Sequence, residues 1–140
     1  MHSGVSAGNL VKLIEHLQSQ FKFSEFRPQQ LEALNILLEK QNLLVLLPTG
    51  GGKSLLYQFM ASLNEGLVLV ISPLIALMDD QVIKARNHGL RAAAIHSNLE
   101  KETREKRLDQ LRAGSLQILF VTPERFRKAE FREALATQNL

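Results

Sequence analysis

The residues best suited to chemistry lie in the stretch "LLVLLPTGGGKSLLYQ", positions 43–58, where Pro48, Thr49, Gly50, Gly51 and Gly52 lead into Lys53 and Ser54. Consecutive glycines let neighbouring amide N–H groups turn toward one point without Cβ clashes. The residues from Lys53 onward read as a helix, and its N-terminus would add roughly half a positive charge at the same point. Lys53 could then reach β- and γ-phosphate oxygens as a point charge, and the Ser54 hydroxyl could ligate Mg²⁺. The pattern G-x-x-x-x-G-K-[ST] wants glycine where this chain has Leu47, so the bare match is incomplete. A strand, a loop, Lys-Ser and a helix in that order supply the missing context. The competing reading is a glycine-rich strand-to-helix turn whose lysine is simply solvated.

Upstream, "FKFSEFRPQQ" offers Phe23, Arg27 and Gln30: a flat ring, a flat cation and an amide that donates and accepts at once. A ring and a guanidinium can stack on the two faces of a base, and a glutamine amide can pair with adenine N6 and N7 as it cannot with guanine. For any single one of Phe21, Phe23 and Phe26, core packing is the commoner role.

The elements that must position these groups follow from apolar patterning. Residues 9–21 place Leu10, Leu13, Ile14, Leu17 and Phe21 on one helical stripe, with Asn9 as the expected N-cap. Pro28 suits the first turn of a second helix, whose buried face is Leu31, Leu34, Leu37 and Leu38. Four apolar runs then start at even spacing, at residues 43, 67, 92 and 116. Uninterrupted rather than alternating runs are the mark of strands buried on both faces, and the segments between them read as helices. The expected fold class is α/β, a parallel sheet with helices on both faces. In the helix "NLEKETREKRLDQLR", Glu100 with Arg104 and Glu102 with Lys106 stand four apart in the acid-first order, which fits a solvated face.

Composition narrows the class. The chain has 140 residues, 45% of them hydrophobic and 22% charged, enough for about one globular domain with a real core. No run approaches the ~18 apolar residues of a membrane span, the N-terminus lacks a secretory pattern, and cysteine is absent. A soluble intracellular protein with no membrane partner is expected, cytoplasmic or nucleoid-associated in a bacterium and nuclear in a eukaryote. A net charge of +3 permits a polyanionic partner without requiring one. The four histidines show no metal-ligand spacing.

Four stretches, in this order and at these separations, resemble the first motifs of the RecQ family of ATP-dependent DNA helicases, within superfamily 2: "FSEFRPQQLEAL", "LLPTGGGKSLLYQ", "VISPLIALMDDQV" and "VTPERF". In that family a bulky apolar residue commonly precedes the loop proline, which accounts for Leu47. The resemblance implies a RecA-like, P-loop NTPase fold, with residues 1–20 an N-terminal helix and residues 21–140 part of the first motor lobe. It implies ATP and Mg²⁺ as cofactors and single-stranded and duplex DNA as partners. It implies 3′-to-5′ unwinding in repair and recombination.

Residue by residue, the resemblance puts Phe23, where tyrosine is frequent, against adenine together with Arg27 and Gln30. Residues 49–54 become motif I, with Lys53 as the catalytic phosphate contact and Ser54 on Mg²⁺. Ser72, Pro73 and Leu74 fall in motif Ia and Thr122, Pro123, Glu124 and Arg125 in motif Ib, both lining the single-stranded DNA path. Asp79 stands where lysine or glutamine is frequent, which removes a positive contact. From the residues alone, Ser72-Pro73 and Thr122-Pro123 read as strand-ending turns and helix starts.

No Asp-Glu pair follows an apolar strand after the phosphate loop, and "MDDQ" lies on a helix. The Mg²⁺-holding acid and the acid that orients water are therefore expected outside these residues, the family placing its DEAH box just beyond Leu140. On this reading the chain is the leading part of a helicase, inactive by itself, and the sheet lacks the neighbours of its 43–47 strand, leaving a gap or an exposed edge. The alternative is a truncated, noncatalytic nucleotide- or DNA-binding module.

Overall fold

The computed structural model describes residues 7–48, 52–63 and 66–140. The chain divides into two compact units, Met1–Met60 and Ala61–Leu140.

In the first unit, α1 (Ala7–His16) runs into a π-helical turn (Leu17–Phe21) that ends at Lys22 in the left-handed region, φ 63°. Leu17 and Phe21 are buried, as their stripe predicts, but Asn9 lies inside α1 and is not its cap. The second helix, α2 (Pro28–Leu38), starts on its proline and buries Ala33 and Leu34. Phe59, on the helix that follows the phosphate loop, collects the aromatic core: its ring centroid is 5.7 Å from that of Phe21, 5.0 Å from Phe26 and 5.4 Å from the His16 ring. Phe21 and Phe26 are thus packing residues, while Phe23 is 47% exposed.

Residues 43–47 depart from expectation. They belong to no strand of the sheet, although they run into the phosphate loop as the fold class requires. Leu44 and Leu46 are 83% and 84% exposed, whereas Leu43, Val45 and Leu47 are half-buried. The period-2 alternation is that of an extended segment resting one face on its surroundings. An apolar run becomes a strand only when a neighbour accepts and donates along its edge, and among the described residues none does so here.

α3 (Lys53–Leu63) opens on Lys53. The second unit then builds a three-stranded, wholly parallel sheet from β1 (Val68–Ile71), β2 (Ala92–Ile95) and β3 (Ile118–Val121), in the order β1-β3-β2. β3 is central, with Ile118 opposite both Val68 and Ala92, and all four of its residues are fully buried. On one face Ala93, Ile95, Leu119 and Val121 form a core with Leu108 and Leu111 of α5 (Lys101–Arg112) and Phe131 and Ala134 of α6 (Ala129–Ala136). The alternate positions, including Ala92, Ala94 and Phe120, are buried too, and α4 (Ile75–Asn87) packs on β2 through a face that hides Met78, Val82 and Ala85. Burial on both faces is why β2 and β3 carry no polar alternation, whereas β1 is partly buried and Ile71 at its end is 54% exposed.

Alanine is a poor strand former, yet β2 reads Ala-Ala-Ala-Ile. The small side chains let helices approach an edge strand closely. Arginines then finish the edge: Arg86 Nε donates to the Ala92 carbonyl at 3.0 Å and an Arg107 terminal nitrogen to the Ala94 carbonyl at 2.5 Å. On α5 the pairs that form are Lys101 with Glu105, at 4.0 Å, and Asp109 with Arg112, at 3.0 Å; Arg104 turns from its expected acid to the Leu99 carbonyl.

Candidate functional site

The first candidate site lies in the first unit, where α2 meets the phosphate loop. Thr49, Gly50 and Gly51 lie outside the described residues; Pro48, Gly52, Lys53 and Ser54 lie within them. Gly52 has φ +86°, a conformation that favours glycine, and it is followed at once by the first turn of α3. Lys53 and Ser54 are both exposed at that turn, where the helix dipole favours an anion.

Gln30 holds this geometry in a way the sequence reading did not foresee. Its side chain is buried, its Oε1 accepts the Arg27 backbone N–H at 2.9 Å, and its Nε2 donates to the Gly52 carbonyl at 3.2 Å. The first bond caps α2, and the signal for it was legible as a glutamine three residues into a helix. The second ties α2 to the glycine that turns the chain into α3. A Cβ on Gly52 would fall 2.1 Å from Gln30 Nε2, so both the torsion and the space demand glycine. An amide has two N–H donors and two acceptor lone pairs, and these bonds use one of each on a side chain that is 4% exposed. Arg27 and Phe23 are exposed nearby in the chain, on the approach to α2. Ser54 carries a hydroxyl oxygen of the kind that can ligate Mg²⁺.

The second candidate site is the carboxyl edge of the sheet in the second unit, the edge at which open parallel sheets bind ligands. Ser72 follows β1: its N–H donates to the Val121 carbonyl at 3.0 Å and its Oγ accepts the Leu74 N–H at 3.2 Å. Pro73 and Leu74 are exposed beside it. Thr122 follows β3 and leads into a 3₁₀ turn (Pro123–Arg127). Its hydroxyl, expected to be a contact, is 1% exposed with its residue and hydrogen-bonds the Glu124 carboxylate. That bond, more than any other influence, lowers the Glu124 pKa and keeps the group ionised. An ionised carboxylate repels phosphate, which leaves Arg125 and Arg127 as the cations of this turn; the Arg125 Nε is buried without a hydrogen-bond partner.

His96, passed over in the sequence reading, ends β2 at the same edge. It is 3% exposed, and its Nδ1 accepts the Asn98 N–H at 3.3 Å, which leaves the proton on Nε2. Burial, the largest influence, lowers its pKa; Asp79 and Glu124 raise it, and Arg107 and Arg125 lower it.

Comparison with known proteins places most of the chain among helicases. The model of the DEAD/DEAH box helicase family matches residues 27–140. The ATP-dependent DNA helicase RecQ of Synechocystis sp. is 46% identical over 112 residues, covering 80% of this chain and 23% of that one. The ATP-dependent DNA helicase RecQ of Bacillus subtilis is 41% identical over 116 residues, covering 82% of this chain and 20% of its own. A putative ATP-dependent DNA helicase Q1 of Caenorhabditis elegans is 40% identical, over 81% of this chain and 18% of its own. The chain therefore spans about a fifth of the length of these curated relatives. The crystal structure of a hypothetical ATP-dependent RNA helicase from Sulfolobus tokodaii superposes with a TM-score of 0.68 over 88% of this chain and 37% of that one; at 20% identity it speaks for the fold alone. Among the described residues no helix is long and apolar enough to cross a membrane.

Proposed function

The chain belongs to the DEAD/DEAH box helicase family, and from that premise we propose that it supplies the ATP-binding and nucleic-acid-binding portion of a RecQ-type, ATP-dependent DNA helicase. The observation that carries the reading is the turn at Gly52: a positive-φ glycine, clamped by Gln30, delivers Lys53 and Ser54 to the first turn of α3. In this role Lys53 neutralises β- and γ-phosphate oxygens and Ser54 takes Mg²⁺, while Phe23 and Arg27 stack on adenine and Gln30 pairs with its edge. The backbone and cationic groups at residues 72–74 and 122–125 hold a DNA strand without reading its sequence. The relatives' names support DNA as the polymer and ATP as the fuel. In the whole protein, hydrolysis drives 3′-to-5′ unwinding, in the service of repair and recombination.

ATP binding and hydrolysis, measured with and without single-stranded DNA on this chain and on one extended past Leu140, test the proposal. This chain is expected to bind ATP without turning it over, and the extended chain to hydrolyse it only with DNA. Lys53→Ala should abolish that turnover, and a duplex with a 3′ tail should be unwound in preference to one with a 5′ tail. DNA-independent hydrolysis by the 140-residue chain, or turnover that survives Lys53→Ala, overturns the reading.

A further inference from the structure

Phe23 stands in a short loop whose two ends are fixed by aromatic packing. Phe21 is 2% exposed with its ring centroid 5.7 Å from that of Phe59, and Phe26 meets the same Phe59 ring edge-on at 5.0 Å. Between these anchors Phe23 is 47% exposed.

The π-helical turn (Leu17–Phe21) supplies the rest of the framework, and such turns are frequent at functional sites. It buries Leu17 and Phe21 and ends on Lys22 in the left-handed region, φ 63°, a conformation uncommon for a residue with a Cβ. Two side-chain bonds hold that ending in place. Lys22 Nζ donates to the Ser19 carbonyl at 2.8 Å, in the part of a helix whose carbonyls lack intrahelical partners. Gln18 Nε2 reaches six residues forward and donates to the Ser24 carbonyl at 3.0 Å. The backbone of Phe23 is therefore set on its N-terminal side by the Lys22 torsion and on its C-terminal side by Gln18. An exposed ring on a backbone held this way has already lost freedom that a ligand would otherwise have to take from it.

We propose that Gln18 is a positioning residue for nucleotide recognition: its bond to the Ser24 carbonyl presents the Phe23 ring as a preformed surface on which the base stacks. The proposal rests on the reading of Phe23 as an adenine contact and adds to it a side chain that acts only through the loop. Gln18 is the donor in this bond. A glutamate of the same shape has no N–H and turns a negative charge toward the Ser24 carbonyl, so it opens the bond, whereas a lysine keeps a donor of similar reach.

The test is isothermal titration calorimetry of the full chain with ATP and with tripolyphosphate, both in the presence of Mg²⁺. Phe23→Ala should weaken ATP binding about tenfold, as loss of a base-aromatic stack does. Gln18→Glu should weaken it about fivefold, on the scale of one hydrogen bond. The same variant should bind tripolyphosphate as the unaltered chain does, and it should add no further loss to a chain that already carries Phe23→Ala. Gln18→Lys should restore ATP binding. Equal losses for ATP and tripolyphosphate, or a Gln18→Glu loss that persists in full beside Phe23→Ala, would make Gln18 merely structural and overturn the positioning role. Unchanged ATP binding in Gln18→Glu, with Phe23→Ala still weakening it, overturns that role too and leaves Phe23 as the base contact. ATP binding that Phe23→Ala does not alter overturns the reading of Phe23 and this proposal with it, and no ATP binding by the unaltered chain overturns the proposed function as well.

Discussion

Residues 43–47 and residues 118–121 carry nearly the same message, a short uninterrupted apolar run at the expected place in a repeating strand-helix pattern. Their fates differ. β3 is hydrogen-bonded on both edges and fully buried, whereas residues 43–47 hold an extended form with Leu44 and Leu46 in solvent. Beside the latter run lies a groove bordered by Ala33 and Ile36 of α2, which accounts for its half-buried side but gives its backbone no ladder. Apolar composition thus determines what a segment would gain from burial, and its neighbours determine whether the gain is realised. The β2 edge shows the intermediate case, one side paired to β3 and the carbonyls of the other side capped by arginines.

The sharpest way to break this contrast is to truncate each run. Phe120→Ala should cost about 3–5 kcal/mol in denaturant unfolding, because it empties a filled core site. Leu46→Ala, removing a side chain already in water, should change stability by less than about 0.5 kcal/mol. Equal costs would mean that residues 43–47 are packed in solution.

Next in size is the capped edge. Arg107→Ala leaves the Ala94 carbonyl without its charged donor and should cost about 1.5–3 kcal/mol, with Arg86→Ala, on an exposed side chain, costing less. Faster amide exchange confined to β2 would tie the loss to the strand edge.

A smaller effect should separate the regions by pH. The His96 pKa is lowered in the fold, chiefly by burial, so the unfolded chain binds the proton more readily. Stability from this group is therefore complete above the unfolded value of about 6.5 and declines as pH falls through it toward the folded value. His96→Gln should reduce the loss of stability between pH 7 and pH 5.5. An unaltered pH profile would show that His96 is not the group responsible.

The smallest change in stability, near zero, is expected for Leu44→Lys/Leu46→Lys, since neither side chain is in the core. Its effect should be on solubility, raising the concentration at which the chain aggregates, as charge does on an unpaired apolar edge. Light scattering at increasing protein concentration measures it.

Much of this was legible beforehand. Three of the four expected strands form, and the two helices that flank residues 43–47 start at Pro28 and Lys53 as their end signals indicate. Periodicity could not distinguish the α-helix at residues 7–16 from the π turn that follows, because both keep the same stripe. Composition could not separate Phe21 and Phe26, which pack on Phe59, from exposed Phe23. Of the residues proposed for nucleotide, the placement of Lys53 and Ser54 in the first turn of α3 was readable, from a glycine loop before a helix. The carboxyl edge was less so, since Thr122 spends its hydroxyl on Glu124 and His96 joins the edge only because β2 ends there.

By itself, then, the sequence determined the periodic elements, the glycine-to-helix turn that can take phosphate, and the order of motifs that marks the family, because each is written in residues close along the chain. Only the tertiary structure decided that Gln30 grips Gly52, that Arg86 and Arg107 finish the β2 edge, and that residues 43–47 stay unpaired. Each of these depends on partners distant in sequence, and hydrogen bonds, burial and local charge take their value from the neighbours that folding supplies.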